Sequence, residues 1–170
     1  KTQEILVEGE DMLPRLTLAQ FSDGLPEISH YDNIKDRKPL NFQPGGCTAL
    51  YDCLGRIFEE YGNEEGAIVV IYTDGEENAS YKWSKEMITK KINELTNDKK
   101  WKFEFSAANQ DSWAVGNEIG ITNTQNFMPT PQGLNRALHV SRNTSLNYRQ
   151  SSAQRLRQMT TPGARRVQSQ

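Results

Sequence analysis

Residues 68–80 read IVVIYTDGEENAS, and with Ala67 the stretch begins as AIVVIY. Six apolar or aromatic residues without alternation are the pattern of a β-strand covered on both faces, as in a parallel sheet sandwiched by helices. The run is therefore expected to be a central strand. Its far end turns abruptly acidic, with Asp74, Glu76 and Glu77. In open α/β sheets ligands bind outside the carboxyl ends of strands, where strand-end loops and helix N-termini converge. The acidic tip is thus the first place to look for function.

Working outward, RLTLAQF (15–21) alternates and is closed by Asp23-Gly24, the pattern of a strand and a turn, and a weaker strand is expected over 26–31. Residues 32–47 (DNIKDRKPLNFQPGGC) form a polar loop rich in Gly and Pro, long enough to suggest a role of its own. Ala49, Leu50, Cys53, Leu54, Ile57, Phe58 and Tyr61 then recur at helical spacing, with Thr48 placed as the cap. Ser84 opens a second helix carrying Met87, Ile88, Ile92 and Leu95. Trp101, Phe103 and Phe105 alternate with Lys102 and Glu104 in a further strand, Asp111 caps a short helix, and 121–128 is a short strand. Thr130-Pro131 begins a last helix whose inner face is Leu134, Ala137, Leu138, Ser141, Ser145 and Tyr148. This order predicts an α/β doubly wound fold, a mainly parallel central sheet flanked by helices, over 1–149. A flexible basic C-terminal arm, low in apolar residues, is expected over 150–170.

The charge is divided unevenly. All 22 acidic residues lie at or before Glu118, with 13 of the 20 basic ones, so that part carries −9; the seven remaining basic residues are all arginines and give the rest +7. Such a tail folds back, docks on an acidic partner or contacts nucleic acid, and composition does not choose. Among its arginines, Arg149, Arg155, Arg157, Arg165 and Arg166 form the arm. Nucleic acid is the least favoured of the three, because no aromatics interleave with the basic residues. Cys47 and Cys53 should face different ways and stay reduced, which points to an intracellular or virion setting. No run approaches the roughly 18 apolar residues of a membrane span, so no membrane partner is expected.

Two groups suit a hard divalent ion: the Thr48 hydroxyl, after a Gly45-Gly46 loop, and the Asp74 carboxylate. At this point PGGCTALYDCLGRIF (44–58), followed by VVIYTDGEENAS (69–80), resembles the von Willebrand factor type A (vWA) domain in its stand-alone bacterial or phage form. The likeness runs through RLTLAQF, WKFEFSAANQDSWAVGNEIGI and PTPQGLNRALHVSRNTSLNYR, covering the chain to about Arg149. That resemblance implies a metal ion-dependent adhesion site for Mg²⁺ (or Mn²⁺ or Ca²⁺), with Thr48 and Asp74 as metal contacts. Gly45, Gly46, Gly75 and Glu76 would shape a rim that receives a protein partner presenting a carboxylate. The family's first motif, D-x-S-x-S, has no counterpart, because none of the eight aspartates has Ser at both offsets. The strand that carries it would lie beside AIVVIY, so roughly 20–25 further residues upstream of Lys1 are expected, enough for a strand, a loop and half a helix.

The implied function is noncatalytic protein recognition. The alternative is a structural subunit of a larger assembly such as a virus particle, with the arm contacting a neighbour. A Mg²⁺-dependent hydrolase finds little support, since neither His30 nor His139 sits beside a Ser, Cys or carboxylate in a way that suggests a triad and the Gly-Gly loop lacks a nucleotide-binding ending. Three plainer readings stand beside these: Glu76, Glu77 and Asn78 as a solvated loop, Asp52 as a first-turn acid favoured by the helix dipole, and Trp83 as core or interface.

Overall fold

The structure, a computed structural model, describes residues 15–36, 47–108 and 111–160. The described residues divide into two compact units: those of 15–64 with 75–99, and those of 65–74 with 100–160.

In the first unit, β1 (Leu16–Gln20) and β2 (Glu27–Tyr31) form an antiparallel hairpin in which Leu16 faces Tyr31 and Gln20 faces Glu27. The predicted turn at Asp23-Gly24 closes it. A short 3-10 turn follows at Ile34–Asp36. Helix α1 (Leu50–Tyr61) buries Leu50, Cys53, Leu54 and Phe58, the predicted apolar face, and lies against α2 (Lys85–Asp98). Helix α2 begins where expected because the Ser84 side chain accepts a hydrogen bond from the Met87 N–H at 3.3 Å. Its Ile88, Ile92 and Leu95 are fully buried. Polar contacts hold the hairpin to the end of α1: the Tyr61 hydroxyl meets His30 Nδ1 at 2.6 Å, and Arg15 pairs with Glu64 at 2.6 Å.

In the second unit, β3 (Ile68–Thr73), β4 (Lys102–Ala108) and β5 (Thr124–Phe127) form a parallel sheet in the order β3-β4-β5. Helix α3 (Ser112–Glu118) is capped by Asp111, whose carboxylate accepts the Trp113 and Ala114 N–H groups. It ends in a paired-bond cap in which the Ile121 N–H reaches the Gly116 carbonyl and the Gly120 N–H reaches Asn117. That geometry needs a left-handed residue, and Gly120 supplies it at φ 85°. The last helix is α4 (Pro131–Thr160). Adjacent residues of β5 show that both faces of this sheet are covered. A Cβ on Gly116 of α3 would strike Thr124, whereas Gln125 bonds to Ser141 of α4. The class is therefore α/β with a small parallel sheet between helices.

Three expectations need correction. Among the described residues AIVVIY is not the middle strand: β3 pairs with β4 alone, and β4 occupies the centre. An all-apolar run is compatible with any doubly covered strand, so composition did not rank the two. Second, β4 does not alternate between core and solvent, because Glu104 is 3% exposed. A central strand buries both faces, and the carboxylate survives there because Ser141 Oγ and Gln125 Nε2 donate to it. Third, the last helix does not end near 149: α4 continues to Thr160, into the stretch read as the basic arm. Between Leu134 and Thr160 there is no Gly or Pro, and a helix already nucleated extends readily through Ala, Gln, Arg, Leu and Met. Residues 161–170, with Arg165 and Arg166, lie outside the described residues. Among the described residues no helix is long and apolar enough to cross a membrane.

Candidate functional site

The N-terminus of α1 is the centre of the candidate site. Its first turn leaves N–H groups without helical partners, and the N-cap residue is Ala49, which has no side-chain acceptor. Thr48 is therefore not the cap. Acceptors come instead from the acidic stretch some thirty residues later. Glu77 Oε2 accepts the Tyr51 N–H at 2.9 Å, and Ser80 Oγ accepts the Asp52 N–H at 3.0 Å. Asn78 Oδ1 accepts the Thr48 N–H at 2.8 Å, while the Asn78 and Ala79 N–H groups donate back to the Thr48 carbonyl.

Each of two carboxylates is occupied several times over. Glu77 also receives the Ala79 N–H at 3.1 Å, the Ser80 N–H at 2.9 Å and the Ser80 hydroxyl at 2.9 Å. Asp52 points away from its own helix and receives three consecutive N–H groups, of Tyr81, Lys82 and Trp83, at 3.0, 3.0 and 2.7 Å. Glu77 and Asn78 are thus not a merely solvated loop, and Asp52 is not merely a first-turn acid. Together they fasten 77–83 along the start of α1. Below this, the Trp83 ring lies over Gly55, where a Cβ would come within 2.3 Å of the indole, and meets Phe58 edge-on. Trp83 is therefore a half-buried packing residue of the first unit, and Tyr81, 84% exposed, is its outward-facing neighbour.

The Thr48 hydroxyl sits against Gly75: a Cβ there would lie 2.6 Å from Oγ1. Only glycine leaves room for this approach. Asp74, joined to Gly75 by the chain, is exposed and ends the second unit's segment; Glu76 is exposed as well. Gly45 and Gly46 lie outside the described residues.

The oxygen supply for a resident cation can now be weighed. Mg²⁺ demands near-octahedral oxygen coordination. The Glu77 and Asp52 oxygens are directed at backbone N–H groups, which leaves Thr48, Asp74 and Glu76 of the residues singled out. Among the described residues no cluster of three or more His, Cys, Asp and Glu side chains is placed to hold a metal. The described side chains alone do not make up a Mg²⁺ cage.

The cysteines behave as spacing predicted. Cys47 is exposed and Cys53 buried, both are free, and burial pushes the Cys53 thiol up to about 12, with Arg56 opposing. His30 meets Glu60 as well as Tyr61, at 3.4 Å, and His139 is exposed on α4. Comparison with family models, with curated proteins and with solved structures gives no match.

Proposed function

We propose that this chain is a noncatalytic recognition module that meets a protein partner at the rim formed by Thr48 and residues 75–78, beside Asp74, as its resemblance to vWA domains implies. The observation that supports this most is the fit of the Thr48 hydroxyl against Gly75, on a loop whose Ala79 and Ser80 amides are held by Glu77 and whose Asn78 side chain accepts the Thr48 N–H. A backbone fastened in this way loses little freedom on association, so contacts made there are retained as affinity. A divalent ion, Mg²⁺ or else Mn²⁺ or Ca²⁺, requires oxygens beyond those of the described side chains, and a partner carboxylate is the ligand that suits an open position. No reaction step is assigned.

The test is titration of the whole chain with MgCl₂, followed by backbone amide spectra, with and without a short peptide containing aspartate. The expected result is a peptide-dependent change at Thr48, Gly75 and Asn78 that Asp74→Ala removes while the remaining spectrum stays folded. Identical spectra with and without Mg²⁺ and peptide, or the same change in Asp74→Ala, would refute the metal-dependent form of this function.

A further inference from the structure

Ligands of open α/β sheets bind outside the carboxyl ends of the strands. In the second unit that edge presents the exposed Asp74 together with two large apolar side chains, Trp113 and Met128, which are 67% and 70% exposed. The other tryptophan of this unit, Trp101, is buried.

Strand register sets the spacing. Thr73 pairs with Ala107 and Ala108 with Phe127, so Asp74, Ala108 and Phe127 stand in a row across β3, β4 and β5, and Met128 follows one residue on. Two strand intervals of about 4.8 Å place the Asp74 and Met128 backbones roughly 10 Å apart. Thr124 meets Gly116 of α3, so by alternation Asn126 and then Met128 lie on the α3 side of the sheet. Trp113 stands in the first turn of that helix, which begins at Ser112 soon after β4 ends at Ala108.

The backbone holds both apolar residues in place. The Asp111 carboxylate accepts the Trp113 N–H at 3.0 Å, while the Asn117 side-chain amide donates to the Trp113 carbonyl at 2.7 Å. The Met128 carbonyl accepts the Thr130 N–H at 2.7 Å, and a Cβ on Gly133 would strike that same carbonyl, so only glycine lets the turn into α4 close there. Side chains carried on a fixed backbone lose little freedom on association.

We propose that Trp113 and Met128 receive an apolar side chain of the recognised partner, carried on an extended peptide segment whose carboxylate lies about three residues away, at Asp74. A span of roughly 10 Å is three residues of extended chain at about 3.3 Å each. The inference rests on the recognition function proposed above for Asp74 and adds a second feature that the partner must carry. Tryptophan and methionine are enriched where proteins meet, and tryptophan among the residues that dominate affinity. The exposed parts of the two side chains amount to on the order of 300 Å². A stable dimer needs roughly 800 Å² per partner, so the patch is the size of a peptide anchor and too small for a second copy of the chain. Nucleic acid and anionic lipid are disfavoured by the Asp74 and Asp111 carboxylates at the same edge.

The experiment is fluorescence anisotropy of the whole chain in MgCl₂ with three labelled, end-blocked peptides: Asp-Gly-Ser-Leu, Asp-Gly-Ser-Ser and Asp-Leu. The first should bind about tenfold or more tighter than the second, the effect of burying most of one leucine. Asp-Leu, too short for the span, should lose that advantage. Trp113→Ser and Met128→Ser, exposed substitutions checked for an unchanged circular dichroism spectrum, should each cut the preference for leucine at least about threefold. Equal binding of the leucine and serine peptides, a preference that survives in both variants, or Asp-Leu binding as tightly as Asp-Gly-Ser-Leu would overturn the inference and leave the recognition reading standing. Binding of no peptide up to about 1 mM would overturn it as well, whatever Mg²⁺ does to the amides of Thr48, Gly75 and Asn78. A preference for leucine that is lost in Trp113→Ser yet intact in Asp74→Ala and without Mg²⁺ would uphold the apolar anchor and refute the metal-dependent reading instead.

Discussion

Removing the Glu77 carboxylate tests whether the acidic tip after β3 serves the fold. Four donors converge on it: the Tyr51, Ala79 and Ser80 N–H groups and the Ser80 hydroxyl, at 2.9 to 3.1 Å. A hydrogen bond to a charged group contributes about 1.5–3 kcal/mol, but these four share one loop, and three of the donors regain water when the loop opens, so their contributions do not add. Tyr51 matters most, since it belongs to an unsatisfied helix N-terminus, where losing a side-chain acceptor costs about 0.5–2 kcal/mol. Glu77→Ala should therefore destabilise by about 2–3 kcal/mol. Glu77→Gln, keeping one acceptor oxygen, should lie between it and the parent. The assay is urea denaturation combined with native-state hydrogen exchange. At a tenfold change per about 1.4 kcal/mol, exchange at Tyr51 and Ser80 should accelerate by roughly 30-fold or more. Glu76→Ala, altering the exposed neighbour, should stay within about 0.5 kcal/mol of the parent. If Glu77→Ala kept the parent midpoint and the parent protection at Tyr51, Ala79 and Ser80, the network would contribute nothing and the reasoning would fail.

Gly75→Ala should destabilise by about 1–3 kcal/mol through collision with the Thr48 hydroxyl, and adding Thr48→Ala should recover most of that loss, a coupling read by a double-mutant denaturation cycle. Arg142 Nε is buried without an acceptor among the described residues, so Arg142→Met should leave the thermal midpoint unchanged or raise it, whereas a clear fall would show that the guanidinium has an acceptor. In the native chain iodoacetamide near pH 8 should modify Cys47 alone, with Cys53 reacting only in denaturant; mass spectrometry distinguishes one adduct from two. Because the Cys53 thiol rises from 9.0 to about 12 on folding, its contribution is complete below pH 9 and declines as pH climbs towards 12. Replacing Cys53 by Ala should flatten that part of the pH–stability curve, at the cost of a small cavity.

What the sequence determined by itself were the features whose causes lie within a few residues. Ser84 and Asp111 opened α2 and α3 as written, because a cap acts on the amides two and three positions ahead. Helical spacing named the buried face of α1, and an unbroken aliphatic run named β3. The sequence also separated Cys47 from Cys53. Tertiary structure decided the rest, wherever a polar group found its partner far along the chain. Nothing local to Glu77 reveals Tyr51, 26 residues earlier, nor does Asp52 announce the amides of 81–83. The apparent polar side of β4 became core because Gln125 and Ser141, 21 and 37 residues on, donate to Glu104. The place of β4 at the centre of the sheet depends on which edges meet, and a strand's composition reports only that both its faces are covered. Burial and periodicity are local averages and survive reading in one dimension. Hydrogen-bond satisfaction is a pairwise condition in space, so the role of each acidic residue waited on the fold that chose its donors.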